Sequence, residues 1–169
     1  MSQTNELEIM ERIALDLEGV EESLASSFNT GAEDFNALIR PLSAAGGKRL
    51  RAQLCLLIAN AGTSVERQRI RIAEAVEMLH LATLIHDDVL DQAEIRRGED
   101  TIHMHKGNKV AILSGDYLFA KAFQIVSEMP NMKYLQIFSH IITCLVEGEF
   151  MQMEDVYRID QGIERYMTK

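Results

Sequence analysis

Apolar positions recur every three or four residues along most of this chain, and that period predicts one helix after another. Leu7, Met10, Ile13, Leu17, Val20 and Leu24 set a first helix over about residues 6–28, which Asn29-Thr30-Gly31 ends. A short second helix is expected over 33–43, kinked or stopped by Pro41. Gly46-Gly47 breaks the chain before a strongly apolar helix over about 48–60, and Ala61-Gly62-Thr63 reads as a turn. A long helix is predicted over about 65–92, then a polar loop from Gly98 to Gly107. Two further helices are expected over about 108–130, with Gly115 inside, and 132–157, with Gly148 inside. Asp160 is placed to cap a last helix. Alternating β-branched and polar runs are scarce, and there is no repeat or low-complexity segment. The expectation is an all-α protein of long antiparallel helices with short connections.

Composition narrows this picture. The 169 residues are enough for one domain with a real core, and 47% are hydrophobic, which excludes a disordered chain. With 2 Pro and no Trp, and with Ala, Leu, Ile, Met, Glu and Gln dominant, helices are favoured. A net charge of -9 argues against a nucleic-acid partner, which calls for a basic face. It leaves anionic substrates open, because a metal ion and a local basic cluster reverse the field in one cleft. Cys55 and Cys144 sit in apolar helical stretches and read as buried, reduced thiols of a cytoplasmic protein. Met1 to Glu8 are polar and acidic, unlike a signal peptide, and no transmembrane segment is expected.

Candidate chemistry concentrates in His86-Asp87-Asp88-Val89-Leu90-Asp91, followed by Arg96-Arg97-Gly98. On a helix Asp87 and Asp91 share a face, with Asp88 beside them, and like charges at that spacing repel. Leu84, Ile85, Val89 and Leu90 run an apolar face alongside, so this is not a charged surface run. Carboxylates suit magnesium, which takes one or two of them plus phosphate oxygens and water. The arginine forks match phosphate or carboxylate. The combination reads as a diphosphate site; the plain alternative is a solvated helix end.

Gly46-Gly47-Lys48-Arg49-Leu50-Arg51 forms a second cluster. Two glycines allow close backbone approach, and a helix start offers N–H groups and a positive dipole end. Lys48 and Arg51, three apart, are expected on one side. The cluster is a phosphate cradle or a turn followed by basic residues lying along the surface. His80, two helical turns before Asp87, is equally a diphosphate ligand or a satisfied core residue. His103 and His105 lack a third ligand at zinc spacing. Cys144 reads as packing, and Glu147, Glu149 and Gln152 as a polar shell or a wet helix face.

Together these residues resemble the trans-isoprenyl diphosphate synthases, the polyprenyl synthetases, from about Ala44 onward. The resemblance implies a helical bundle of the isoprenoid synthase type and Mg2+-dependent, head-to-tail condensation of isopentenyl diphosphate with an allylic prenyl diphosphate. It implies magnesium on Asp87 and Asp91, with Asp88 close by as part of the first aspartate-rich motif. Arg96 and Lys169 would hold the allylic diphosphate, and Lys48, Arg51, His80 and Arg97 would hold isopentenyl diphosphate. Gly115-Asp116 and Gly148-Glu149 through Gln152 also fall where the family has such residues.

In this family the product grows into a pocket below the aspartates, floored by bulky residues four or five positions earlier. Those positions are Thr83 and Ala82, neither aromatic, which implies a long-chain product of the quinone side-chain type. A lower floor would fall at Met78, or at Leu118 and Phe119. The second aspartate-rich motif of the family has no counterpart before Lys169. Residues 1–169 are therefore expected to be the N-terminal half of a single isoprenoid-synthase domain, poorly active alone and forming a homodimer. Three competing readings remain: a non-catalytic subunit of a prenyl synthase complex, a class I terpene cyclase, and a helical scaffold. Intact aspartates oppose the first, Lys48 and Arg51 the second, and the clustering of all these charges the third.

Overall fold

The computed structural model of the chain describes residues 3–28, 31, 33–44, 47–62 and 65–168, the side chains of 3–6 and 42–44 excepted. Asn29, Thr30, Gly46, Thr63 and Lys169, all invoked above, lie outside the described residues. The chain forms two compact units, Met1–Glu128 and Met129–Lys169.

The first unit holds α1 (Gln3–Ser27), α2 (Glu33–Ala44), α3 (Leu50–Asn60), α4 (Glu66–Leu90), β1 (Ile95–Arg96), β2 (Glu99–Asp100), α5 (Ile102–Lys106) and α6 (Asn108–Ser127). Helix α4 is the hub, packed on α6, α3 and α1. Ala73, Ala75, Met78, Leu79, Leu81, Ala82 and Ile85 on α4 are buried. They face inward in several directions because helices surround α4 on more than one side. Against it, α6 buries Ala111, Ser114, Gly115, Leu118, Ala122, Ile125 and Val126, a stripe at helical spacing. This helix alone among the described residues is long and apolar enough to cross a membrane. Its packing against α4 accounts for that composition as a core helix.

Four charged side chains of α4 are also buried, and each has partners. Arg69 donates to both Asp16 oxygens at 2.6 and 2.9 Å. Glu74 accepts from Ser23 and Ser27, each at 2.6 Å, and from Arg71 at 2.6 Å. Glu77 and Asp88 belong to the site described below. An unpaired buried charge costs several kcal/mol, so these pairs fix which faces of α1 and α3 meet α4.

Several expectations are corrected. α2 continues through Pro41 to Ala44, because the lost N–H falls in the last turn, where one missing bond ends little. Leu7 and Met10 of α1 are exposed, and the buried stripe is Ile13, Val20, Leu24 and Phe28. The expected loop at 98–107 contains β2, paired antiparallel with β1, and α5.

The second unit holds α7 (Lys133–Glu154) and α8 (Ile163–Thr168). α7 buries Phe138 and exposes Ile137, Ile141, Leu145, Val146, Phe150 and Met153. Buried Asp155, at its C-terminus, accepts from Arg165 Nε at 2.9 Å and lies 3.5 Å from Arg158. That bonding turns the chain, so Asp160 is not the cap: α8 opens at Ile163, with Tyr166 N–H donating to the Gly162 carbonyl.

Candidate functional site

The aspartates end α4. Asp87 and Asp88 lie in its last turn and Asp91 is the C-cap. Ala93 N–H donates to the Asp88 carbonyl at 2.9 Å and Gln92 N–H to that of Val89 at 3.4 Å, with Gln92 left-handed at φ 52. This is a Schellman termination with glutamine where glycine is usual. No basic residue lies in the last turn, so three carboxylates add to the negative end of the helix dipole. Burial, then Asp91 and Asp88, push the Asp87 carboxyl above its ordinary range, against the pull of Arg96 and His86.

The Schellman turn leads into the β1–β2 hairpin. Arg97 and Gly98 occupy its two-residue turn at φ 55 and 87, both positive as a type I′ turn requires. The hairpin sends the two arginines in different directions. Arg96 Nε donates to Asp88 Oδ1 at 2.7 Å. The Arg97 guanidinium lies against Gly47, where a Cβ would stand 3.3 Å from Nη2 and 3.4 Å from Nη1. Here the missing side chain permits the close approach.

The start of α3 differs from expectation. The helix begins at Leu50, so Lys48 precedes it and helical spacing does not set Lys48 beside Arg51. Both side chains are exposed. Arg49 between them is buried and left-handed at φ 47, ψ 39. It donates to Glu21 at 2.6 and 3.1 Å and lies 3.7 Å from Glu77. Glu77 Oε1 in turn accepts from Ala52 N–H at 2.9 Å. One of the N–H groups expected to meet a phosphate is thus taken by a carboxylate.

His80 joins the two halves. Burial, then the positive charge of Arg51, lower its pKa from the ordinary value, Arg97 and Arg96 add to this, and Glu77 alone opposes. Arg51, Arg96 and Arg97 thus each disfavour a protonated His80. Val76, His80, Thr83, Leu84, Asp87 and Asp91 form a half-open or exposed stripe of α4 at helical spacing, while Met78 and Ala82 are fully buried. Of the four expected chain-length residues, Thr83 and Phe119 keep partial exposure. Phe119 stacks obliquely on His86, centroids 5.4 Å apart. His86 Nε2 lies 3.2 Å from the Ile112 carbonyl oxygen and 3.5 Å from Asp116, and its ring fills the space a side chain at Gly115 would need.

Two carboxylates one turn apart on an open face, at a helix C-terminus, fit magnesium completed by water and phosphate oxygens. Asp88 is engaged by Arg96, and among the described residues no three His, Cys, Asp or Glu side chains converge as a metal cluster. His103 is 3.0 Å from Thr101 Oγ1 and His105 is 3.8 Å from Asp100. Cys55 is half-buried, its thiol pushed up by burial, while Cys144 is exposed, 3.7 Å from His140, and not the packed residue expected. In the second unit Glu147 and Gln152 are exposed and Glu149 half-buried. Sequence reasoning missed Arg49, Glu21 and Glu77. The available signal was Glu77 itself, a carboxylate between Val76 and Met78 in an otherwise apolar stretch.

The polyprenyl synthetase family model matches residues 32–169. The chain belongs to the polyprenyl synthetase family. It is 33% identical over 159 residues to octaprenyl diphosphate synthase of Escherichia coli (strain K12), covering 94% of this chain and 49% of that protein. It is 37% identical over 155 residues to heptaprenyl diphosphate synthase component 2 of Geobacillus stearothermophilus, covering 91% and 48%. The crystal structure of polyprenyl synthase from Caulobacter crescentus CB15, complexed with calcium and isoprenyl diphosphate, superposes with a TM-score of 0.86 at 33% identity, over 94% of this chain and 49% of that one. The fold is thus an incomplete all-α bundle of the isoprenoid-synthase type, and the chain spans about half the length of these relatives.

Proposed function

We propose that this chain carries the magnesium and diphosphate machinery of a trans-polyprenyl diphosphate synthase, joining isopentenyl diphosphate head-to-tail to an allylic diphosphate to give a long-chain product. The observation that carries the reading is that the β1–β2 hairpin brings Arg96 to Asp88 at the C-terminus of α4, at 2.7 Å, and Arg97 against Gly47 just before α3, so that cations reach both clusters. A cationic cradle beside paired carboxylates suits two diphosphates, one held by side chains and one through a metal. Relatives named for octaprenyl and heptaprenyl diphosphates, and a similar fold complexed with a divalent cation and isoprenyl diphosphate, support the substrate class.

In this reading Asp87 and Asp91 hold magnesium, which when bound draws charge from the allylic diphosphate and eases its departure. Asp88 holds Arg96 in place, and Arg96 orients that diphosphate. Lys48, Arg51, His80 and Arg97 hold isopentenyl diphosphate. The allylic C–O bond breaks with its electron pair leaving on the diphosphate. The double bond of isopentenyl diphosphate attacks the allylic cation, forming the new C–C bond, and a proton passes to the departing diphosphate. Water must be kept out, because it would trap the cation. Thr83 and Phe119 line the near part of the product path, with Ala82 and Met78 behind them.

Residues 1–169 form the N-terminal part of one such domain in this reading. The partner is a second copy, supported by the apolar face that α7 exposes through Ile137, Ile141, Leu145 and Phe150. The free thiols Cys55 and Cys144 suit the cytoplasm. The test is a prenyl-transfer assay with magnesium, labelled isopentenyl diphosphate and farnesyl diphosphate, with light scattering on the same sample. Elongated product, or magnesium-dependent diphosphate binding lost in Asp87→Ala, supports the reading. Absence of both turnover and binding would sink it.

A further inference from the structure

We propose that Arg49 is a positioning residue for the anion cradle: it touches no ligand, but fixes where Lys48 and Arg51 present their charges. The inference rests on the reading of that cradle as a diphosphate site. Lys48 and Arg51 are exposed, while Arg49 between them is 8% exposed. Its left-handed backbone, at φ 47 and ψ 39, turns the side chain inward where its neighbours turn outward.

There the guanidinium joins three helices. Nε and Nη2 bind both Glu21 oxygens of α1 at 2.6 and 3.1 Å, and Nη1 lies 3.7 Å from Glu77 of α4. Glu77 also receives the Ala52 N–H of α3 at 2.9 Å. The first turn of α3 is thereby pinned to the helix that carries His80 and Asp87. Because Glu77 occupies that N–H, it is lost to an anion here, and the placement of the side-chain cations weighs more in affinity.

A purely structural tie explains the residue less well. A buried ion pair is often matched in stability by apolar residues of similar volume, and a left-handed position is eased by glycine. This chain uses neither. A strained, charged, fully partnered residue between two outward cations points to orientation of those cations.

The test is calorimetric titration of isopentenyl diphosphate, without magnesium, into the full 169-residue chain and its variants, with thermal melts on each. Arg49→Gln and Glu21→Gln are expected to weaken binding at least tenfold. Arg49→Lys, which keeps the charge but not the fork, recovers part of the loss. Arg49→Gly relieves the backbone strain but leaves buried Glu77 without its cation, so its melting temperature falls as well; Glu21→Gln, at an exposed carboxylate, is the variant in which affinity is lost while the melting temperature stays near the parent's. Affinity within twofold of the parent in Arg49→Gly and Arg49→Gln overturns the proposal. If the Arg49 variants fail to fold, Glu21→Gln decides: unchanged binding overturns it. If Lys48→Ala and Arg51→Ala bind like the parent, the diphosphate reading of the cradle has failed, and the Arg49 proposal with it. If those two lose binding and the Arg49 and Glu21 variants do not, only the positioning role is wrong.

Discussion

Asp88 and Arg96 stand eight residues apart in the chain and 2.7 Å apart in space, carboxylate oxygen to guanidinium nitrogen. The pairing divides the aspartate cluster: Asp88 is buried and spoken for, while Asp87 and Asp91 line the open stripe. Asp88→Ala should therefore release Arg96 and weaken magnesium-dependent diphosphate binding about tenfold, about 1.4 kcal/mol. Stability should fall by about 1 kcal/mol, and adding Arg96→Ala should cost less than the two singles summed. Urea melts of the two singles and the double check this; strict additivity would contradict the pairing.

Asp87→Asn should act with opposite signs on stability and function. The Asp87 carboxyl is held above its ordinary range by burial and by Asp91 and Asp88, so its charged form opposes folding. Removing the charge should stabilise the free protein by about 0.5 kcal/mol while abolishing its response to magnesium. Because the folded pKa exceeds the unfolded value of 3.8, this group adds stability as pH falls through the folded pKa, and the gain is complete below 3.8. Thermal melts at neutral and mildly acid pH, parent against variant, should show the gap closing as the parent protonates.

His80 should couple anion binding to protons. Burial and then Arg51 hold its pKa below 6.5, so the free site carries a neutral imidazole at neutral pH. A bound diphosphate offsets that positive field and raises the pKa, so binding takes up protons and tightens as pH falls toward the depressed value of the free site. For folding the sign is reversed: stability from this group is present above 6.5 and lost as pH falls toward the folded pKa. Calorimetry in buffers of different ionisation enthalpy measures the uptake. Equal heats in all buffers, or unchanged uptake in His80→Gln, would contradict this.

Gly115→Ala should loosen the contact between α4 and α6. The His86 ring occupies the space the new methyl requires. Forcing it away from Ile112 and Phe119 should cost about 1–3 kcal/mol, read from urea melts. An unchanged midpoint would mean that the ring moves freely.

Much of this site was legible because its residue types are rare in combination. Three aspartates beside Leu84, Ile85 and Val89 declare both a helix and an unusual charge load on it. The directions of the side chains were not legible. Arg96 and Arg97 part company because Arg97 and Gly98 both take positive φ in a two-residue turn, whereas the expected loop began only at Gly98. Arg49 turns inward by a left-handed conformation that arginine rarely adopts. Helix α3 begins two residues later than its apolar pattern suggested, which removes Lys48 from it. The buried charges of α4, Arg69, Glu74 and Glu77, look like surface residues by type, and their partners on α1 and α3, with Arg71 of α4 itself for Glu74, account for them.

In the proposed function the C-terminus of α4, the hairpin arginines and the start of α3 make one magnesium–diphosphate site. Titration of inorganic diphosphate into the chain with and without magnesium, for the parent and for Asp87→Ala/Asp91→Ala, tests it most directly. One joint site gives binding that magnesium strengthens in the parent, and weaker binding indifferent to magnesium in the double variant. Binding that ignores both magnesium and the two aspartates would contradict it.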